Sequence, residues 1–160
     1  MSQPGPQIDE KSRIADQLKR AFEGDAWHGP AVLEVLEGVS APAAASKPLA
    51  GAHSIWELVL HIAAWDGAIR CRMEGQALQL SPEQDFPAVK DTSDVAWRTA
   101  VENLKQRHTE LIQGVLSMPD HRLTSQVPGK DYDFYHMLHG AVQHELYHAG
   151  QIALLRKVAR

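Results

Sequence analysis

The sequence predicts an all-α protein, a four-helix bundle with a long crossover connection. Four stretches repeat their apolar residues with the period of an α-helix, and proline or glycine residues separate these stretches. No stretch of useful length alternates apolar and polar residues as a half-buried strand does. With 160 residues the chain has the length of one ordinary domain, so we expect residues 1–160 to form a single domain.

The first long helix is predicted from about Ile8 to Phe22, where apolar residues fall near one face and charged residues lie elsewhere. A short helical pattern, AVLEVLEG, follows and ends at Gly38. The next segment, SAPAAASKPLAGAH, contains two prolines and one glycine. Its composition predicts a connecting loop.

The second long helix has the clearest start signal. Ser54 is a favourable N-cap, and Glu57 three residues later completes a capping-box pattern before the run IWELVLHIAAWDGAIRCRM. The apolar stripe of this run alternates spacings of three and four and consists of Ile55, Leu58, Ile62, Trp65, Ile69 and Met73. His61 lies at the edge of this stripe, so its side chain can face a partner helix.

Residues 75–92 form the predicted crossover, because Pro82 and Pro87 break a segment too long for a tight turn. The third long helix is expected from Ser93 or Asp94 to the Met118-Pro119 pair. A polar loop through Pro128 and Gly129 leads to the last helix.

The fourth long helix is predicted from about Asp131 to Val158. Its expected inward stripe comprises Met137, Gly140, Ala141, His144, His148, Gln151, Ile152, Leu155 and Val158. Two histidines therefore occupy the middle of a face that is expected to be buried.

Composition and charge exclude several classes of partner. The net charge of −4 gives no broad basic field, so we expect no nucleic-acid partner. Cys71 is the single cysteine, which rules out an internal disulfide and is typical of the reducing cytoplasm. No stretch approaches the roughly 18 apolar residues of a membrane-spanning helix, and the polar N-terminus differs from a signal peptide. We therefore expect a cytoplasmic protein without a membrane partner.

His144 and His148 are the strongest candidates for a metal site. A spacing of four places them on one helix face, roughly 6 Å apart along the axis, so both imidazoles can reach one ion. A third ligand must come from elsewhere, and His61 is the best candidate because its helix otherwise packs inward. A lone buried histidine is more often structural, but two adjacent imidazoles without partners cost about 1–3 kcal/mol for each unmet polar group.

The segment HELYH also matches the H-E-x-x-H pattern of zinc proteases, in which the glutamate is the general base. The extended form of that pattern is missing, because Gln151 and Leu154 stand where glycine and histidine are required. No strand is predicted that could align a peptide substrate. A protease is therefore the weaker interpretation.

The remaining polar and aromatic residues receive less specific predictions. Surface or local hydrogen-bonding roles are expected for His28, His108, His121 and His136, whereas His53 and His139 could line a pocket mouth. Residues that could orient a ligand ring or a bound water are Glu57, Asp66, Glu145 and Gln151, and surface solvation explains the three charged ones equally well. Pocket walls or simple core packing are expected for Trp27, Trp56, Trp65, Trp97 and Tyr147. Cys71 is expected to be a small buried apolar residue.

The segments HSIWELVLHIAAWD and LHGAVQHELYHAGQIALLRK, with WHGPAVLEVLEG as a weaker third, resemble the DinB-like (DinB/YfiT) superfamily of metal-dependent proteins. The resemblance implies a four-helix bundle and a metal triad formed by His61, His144 and His148. It also implies a divalent metal ion, zinc or nickel, and a homodimer. Members of this superfamily include thiol transferases, an isomerase and proposed hydrolases.

These observations support two functional hypotheses. In the first, the protein is a metal-dependent enzyme, similar to thiol S-transferases or hydrolases, that acts on a small molecule through three histidines with open coordination positions. In the second, the ion has no catalytic role and stabilises the bundle. A metal-free helical bundle is the third interpretation. The sequence assigns no catalytic residue beyond the metal ligands.

Overall fold

The computed structural model describes residues 8–159. These residues form helices joined by loops, and the only extended pairing among them is an isolated bridge between Gln126 and Asp133. In chain order the helices are α1 (Glu10–Phe22), α2 (Val32–Leu36), α3 (Ala41–Ala45), α4 (Ile55–Met73), α5 (Pro82–Asp85), α6 (Asp94–Ser117), a 3-10 helix (Asp120–Thr124) and α7 (Phe134–Val158). The prediction of an all-α fold is confirmed.

Local signals in the sequence set the bounds of the longest helices. The predicted capping box of α4 is present, because Ser54 Oγ accepts from the Glu57 backbone N–H while the Glu57 carboxylate accepts from the Ser54 N–H. α6 begins after Ser93, whose side chain accepts from Ala96 N. Both helices therefore begin where the sequence predicts.

Two predicted connections contain short helices, so their description as simple loops was incomplete. Ser40 caps α3 by accepting from Ala43 N, and Pro42 is tolerated in the first turn, where backbone N–H groups lack helical partners. α5 lies within the predicted crossover.

The last helix starts slightly later than predicted. α7 starts at Phe134 rather than near Asp131, because Asp133 is its N-cap.

The four long helices pack against one another around two apolar clusters. α4 and α1 each contact both α6 and α7. The first halves of α4 and α6 and the second half of α7 contribute to one cluster. Their opposite halves, together with α1, contribute to the other. α4 and α6 therefore run in the same direction and α7 runs against them, which supports the predicted bundle.

The inward stripe predicted for the fourth long helix, α7, is correct except at its end. Met137, Ala141, His148, Ile152 and Leu155 are buried. Val158 is 47% exposed because it lies at the last turn of α7, beyond the packed core, so its predicted burial was wrong.

Among residues 8–159, no helix combines the length and the apolar character needed to cross a membrane.

Candidate metal centre

The three predicted histidines lie together between α4 and α7. His61 Nε2 is 2.9 Å from His144 Nε2, and His148 Nε2 is 3.1 Å from the same atom. The structure thus brings the predicted residues to one point. His144 is at the centre of the group, since its Nε2 contacts both other rings.

Helix geometry brings His144 and His148 together, and the packing of α4 against α7 brings His61 to them. His144 and His148 are neighbours on α7, with ring centroids 4.4 Å apart. His61 enters from α4, and its ring centroid lies 4.9 Å from that of His144 and 4.7 Å from that of His148. The three side chains therefore join two helices.

Hydrogen bonds on the far side of two rings set their orientation. His61 Nδ1 lies 2.8 Å from the Asp85 carbonyl oxygen and 3.1 Å from the Asp85 carboxylate. His148 Nδ1 lies 2.5 Å from the side-chain carbonyl oxygen of Gln151. These oxygens are acceptors, so each Nδ1 carries the proton and donates it. The predicted orienting role of Gln151 agrees with this geometry.

The arrangement fits a divalent metal ion. With Nδ1 protonated on His61 and His148, the Nε2 atoms of both rings present lone pairs toward His144 Nε2. A single proton on His144 Nε2 cannot bridge to both, whereas one cation can accept all three lone pairs. Tetrahedral zinc–nitrogen bonds of about 2.0–2.1 Å separate two nitrogens by about 3.3–3.4 Å, and the distances of 2.9 and 3.1 Å found here are a few tenths of an ångström shorter.

The three imidazoles are held in the neutral form that metal binding requires. Burial, together with the nearby His148 and His61 rings, lowers the pKa of His144 to about 3. Burial also lowers the pKa of His61 and of His148. At neutral pH no proton has to be displaced from a charged ring before an ion binds.

A cavity of about 470 Å³ opens beside the histidines. Its lining residues are His61, Trp65, Ile69, Arg72, Asp85, Tyr132, His136, Met137, Gly140, Ala141, His144, Tyr147 and His148. Trp65 Nε1 donates to Asp85 Oδ1 at 2.7 Å, so the aromatic wall and the residue that orients His61 are joined. The cavity is large enough for a small organic molecule.

Sequence reasoning did not identify Asp85 or Phe86, which lie at the end of α5. The Phe86 ring stacks between two imidazoles, with centroids 3.7 Å from His53 and 4.0 Å from His61. The helix signal at Ser81, whose side chain accepts from Gln84 N, could have shown that the crossover is ordered. It could not have shown what the crossover contacts.

A second group of polar residues is fully buried near the middle of the bundle. Asp66, His108 and Glu145 come from α4, α6 and α7 and offer ligand atoms within 4.8 Å of one another. His108 Nδ1 lies 2.9 Å from Glu145 Oε1 and 3.6 Å from Asp66 Oδ2, and its ring stacks on Phe22 at 3.8 Å. Neither contact is a well-formed hydrogen bond, so both are ion-pair contacts between buried groups.

Electrostatics favour a charged histidine within this second group. Burial opposes the charge on His108, but Asp66 and Glu145 outweigh it and raise the pKa of His108 to about 9. Burial raises the pKa of Glu145 to about 7 and also raises the pKa of Asp66. The charged imidazole and the two carboxylates form an ion-pair group, and an ion could bind there only by displacing the proton of His108.

The second group corrects three predictions. His108 is 2% exposed and contacts carboxylates from two other helices, so a surface or purely local role was wrong. Asp66 and Glu145 are also buried, and the structure places them against His108 instead of the triad. Because Glu145 faces His108, it is not placed as the general base of a zinc protease.

The other predicted candidates have varied positions. Trp27 is fully exposed, whereas Trp56 and Trp97 pack in the core. Glu57 serves the α4 cap and pairs with Lys47 at 2.8 Å. Tyr147 lines the cavity and is 66% exposed. Cys71 is half-buried, so its predicted full burial was wrong.

Comparison with known protein families identifies the family of this chain. The family model of the DinB superfamily matches residues 26–152, which include α2 through most of α7. The chain therefore belongs to the DinB superfamily. No curated protein and no solved structure gives a significant match to it.

Proposed function

We propose that this protein is a divalent-metal-dependent enzyme that acts on a small molecule, with His61, His144 and His148 as the metal ligands. The observation that supports it best is the meeting of three Nε2 atoms at the edge of an open cavity. Imidazole nitrogen suits zinc and nickel, which are the ions we propose. The proposed substrate is a small molecule that enters the cavity. We also propose that the chain forms a homodimer.

The residues at the centre favour catalysis. An ion with three protein ligands supplies Lewis-acid chemistry, because it lowers the pKa of a water or thiol in its remaining position and polarises an electrophile. His61, His144 and His148 are neutral and so add no negative charge that would weaken this effect. Asp85 and Gln151 hold two of the rings in position.

The cavity wall narrows the class of reaction. Among the described residues, its lining includes no serine, threonine, cysteine or lysine, and the carboxylate of Asp85 is already engaged by Trp65 and His61. We therefore propose that the nucleophile is a ligand of the ion and not a side chain. A thiol would make the protein similar to a thiol S-transferase, and water would make it similar to a hydrolase.

One feature favours the alternative, a non-catalytic metal-binding protein. The three ligands come from two helices that pack together, so an ion would also link α4 to α7. Such an ion would stabilise the bundle without any reaction. This alternative requires that the chelated protein lose its fold and that no turnover be found.

The experiment combines metal analysis with an activity screen. Purified wild-type protein is expected to bind one zinc or nickel ion per chain, and His61→Ala, His144→Ala and His148→Ala are each expected to lose it. His136→Ala is the matched control, because His136 lines the same cavity but lies outside the triad. Retention of full metal content by all three triad variants would exclude this centre.

The activity screen pairs low-molecular-weight thiols with electrophiles, and tests ester and amide substrates for hydrolysis. Turnover is expected with the metal-loaded protein. It should disappear after chelation and in the three triad variants. Turnover that survives chelation would contradict a metal-dependent enzyme.

A further inference from the structure

Arg72 combines a buried positive charge with a position in the cavity wall. It lies near the end of α4, its exposure is 1%, and it is among the largest fully buried side chains. It lines the same cavity as the three histidines. Buried arginines ordinarily have a carboxylate partner, because the desolvation of an unpaired charge is costly.

Arg72 has no such partner among residues 8–159. Its guanidinium donates from Nε to the Leu78 carbonyl oxygen at 3.0 Å, and its Cζ lies 5.3 Å from the centroid of the Trp65 ring. No aspartate or glutamate side chain of the described residues lies within ion-pairing distance of it. By contrast Arg70, two residues earlier, pairs with Glu74 at 2.7 Å.

The bond to Leu78 determines which part of the guanidinium is free to bind a ligand. The hydrogen bond to Leu78 occupies Nε and fixes the plane of the guanidinium group. The Nη1 and Nη2 groups therefore remain available to a ligand. Two parallel N–H groups match the two oxygens of a carboxylate, and such bidentate contacts are short and strong. One carboxylate also balances the single charge of Arg72, whereas a doubly charged phosphate would exceed it.

The Trp65 ring shows where Arg72 lies in relation to the three histidines. Trp65 is close to both, because its ring centroid is 5.3 Å from Arg72 Cζ and 5.9 Å from the His144 ring centroid. The cavity wall also includes the apolar side chains of Ile69 and Met137. A small organic molecule that packs on the indole can therefore extend toward both Arg72 and the histidines.

We propose that Arg72 binds a carboxylate group of the substrate. The substrate class is a small carboxylic acid whose reacting group lies a few bonds away, at the histidine end of the cavity. The position of the reacting group rests on the proposed function. The carboxylate subsite itself depends only on Arg72 and the cavity.

The first test compares two thiols of equal length on the zinc-loaded protein by titration calorimetry. 3-Mercaptopropionate carries the carboxylate, and 3-mercapto-1-propanol carries an uncharged hydroxyl in its place. Wild-type protein is expected to bind the acid at least about tenfold more tightly, as a charge-assisted bidentate contact requires. Arg72→Gln should abolish this preference and change the affinity for the alcohol less than about twofold.

Arg70→Gln is the matched control, since it removes the same charge from the same helix outside the cavity. It should retain the full preference for the acid. Arg72→Lys provides the test if Arg72→Gln does not fold, because it keeps the charge but loses the planar fork, and most of the preference should then be lost. An unchanged preference in the folded Arg72 variant would overturn the proposal.

A second probe separates this proposal from the metal centre. 3-Phenylpropionate has a carboxylate but no thiol, and it is titrated into chelated protein with 3-phenyl-1-propanol as the uncharged control. Preference for the acid that depends on Arg72 would support the subsite even if the triad bound no metal. If the protein binds no metal but still prefers the acid to the alcohol, only the proposed function is overturned. If neither the zinc-loaded nor the chelated protein prefers the acid, the carboxylate subsite is overturned.

Discussion

His61 Nε2 lies 2.9 Å from His144 Nε2, across the contact between α4 and α7. Because the Nδ1 atom of His61 faces an acceptor, its Nε2 lone pair is directed into the histidine group. A proton on His144 Nε2 can satisfy the lone pair of His61 or that of His148, but not both. A metal cation satisfies all three rings at once, and its binding has measurable consequences.

Metal loading should raise the thermal stability of the protein. An ion that binds only the native state stabilises it by about 4 kcal/mol at a free concentration 1,000 times its Kd, which corresponds to a rise in Tm of roughly 10 °C for a domain of this size. Scanning calorimetry of chelated and zinc-loaded protein provides the measurement. An identical Tm in both would contradict metal binding to the native state, and unfolding of the chelated form at 25 °C would favour the structural alternative.

Loss of the Gln151 side chain should weaken metal binding without abolishing it. Gln151 accepts from His148 Nδ1 and so holds that ring in the ligating orientation. Removal of such an outer partner typically lowers metal affinity by about 10- to 100-fold. Competition with a chromophoric chelator should show this loss in Gln151→Ala. Gln143→Ala, on the exposed side of α7, is the control and should match wild type.

Glu145→Ala should destabilise the fold while leaving metal content unchanged. The substitution removes the nearer of the two carboxylates that face His108 and leaves Asp66 as its remaining partner, a change that costs about 1–3 kcal/mol. Urea unfolding measures the loss, and metal analysis tests the site. Glu102→Ala, which removes an exposed carboxylate, should change the free energy of unfolding by less than about 0.5 kcal/mol. Loss of metal with unchanged stability would indicate that Glu145 belongs to the metal centre.

His108 should titrate above the ordinary pKa of histidine, whereas His61, His144 and His148 should titrate below it. Its pKa is raised from 6.5 to about 9, so its contribution to stability is fully present below pH 6.5 and is lost as the pH rises through 9. We expect the free energy of unfolding of the chelated protein to fall over this range, by up to about 3 kcal/mol from this group.

NMR titration of the imidazole protons tests this directly, with His108→Gln identifying the resonance. A His108 midpoint at or below 6.5 would show that Asp66 and Glu145 do not stabilise its charged form.

Features that depend on neighbouring residues in the chain were predictable. The capping box at Ser54 and Glu57 marks the start of α4, and the cap at Ser93 marks the start of α6. The pairing of His144 with His148 follows from helix geometry alone. For His61, the sequence supplied a candidate, and the resemblance to the DinB superfamily selected it.

Contacts between distant segments could not be read from spacing. Asp66, His108 and Glu145 lie on three different helices, and only the packing of α4, α6 and α7 brings them together. Likewise, nothing in the pattern of the crossover indicated that Asp85 would orient His61. The sequence by itself determined the helices and the histidine pair, because helix formation and the spacing of residues on one helix are local. Only the tertiary structure decided that Arg72 is buried with no carboxylate partner among residues 8–159 while Arg70 is paired, because this difference depends on which residues lie opposite each side chain.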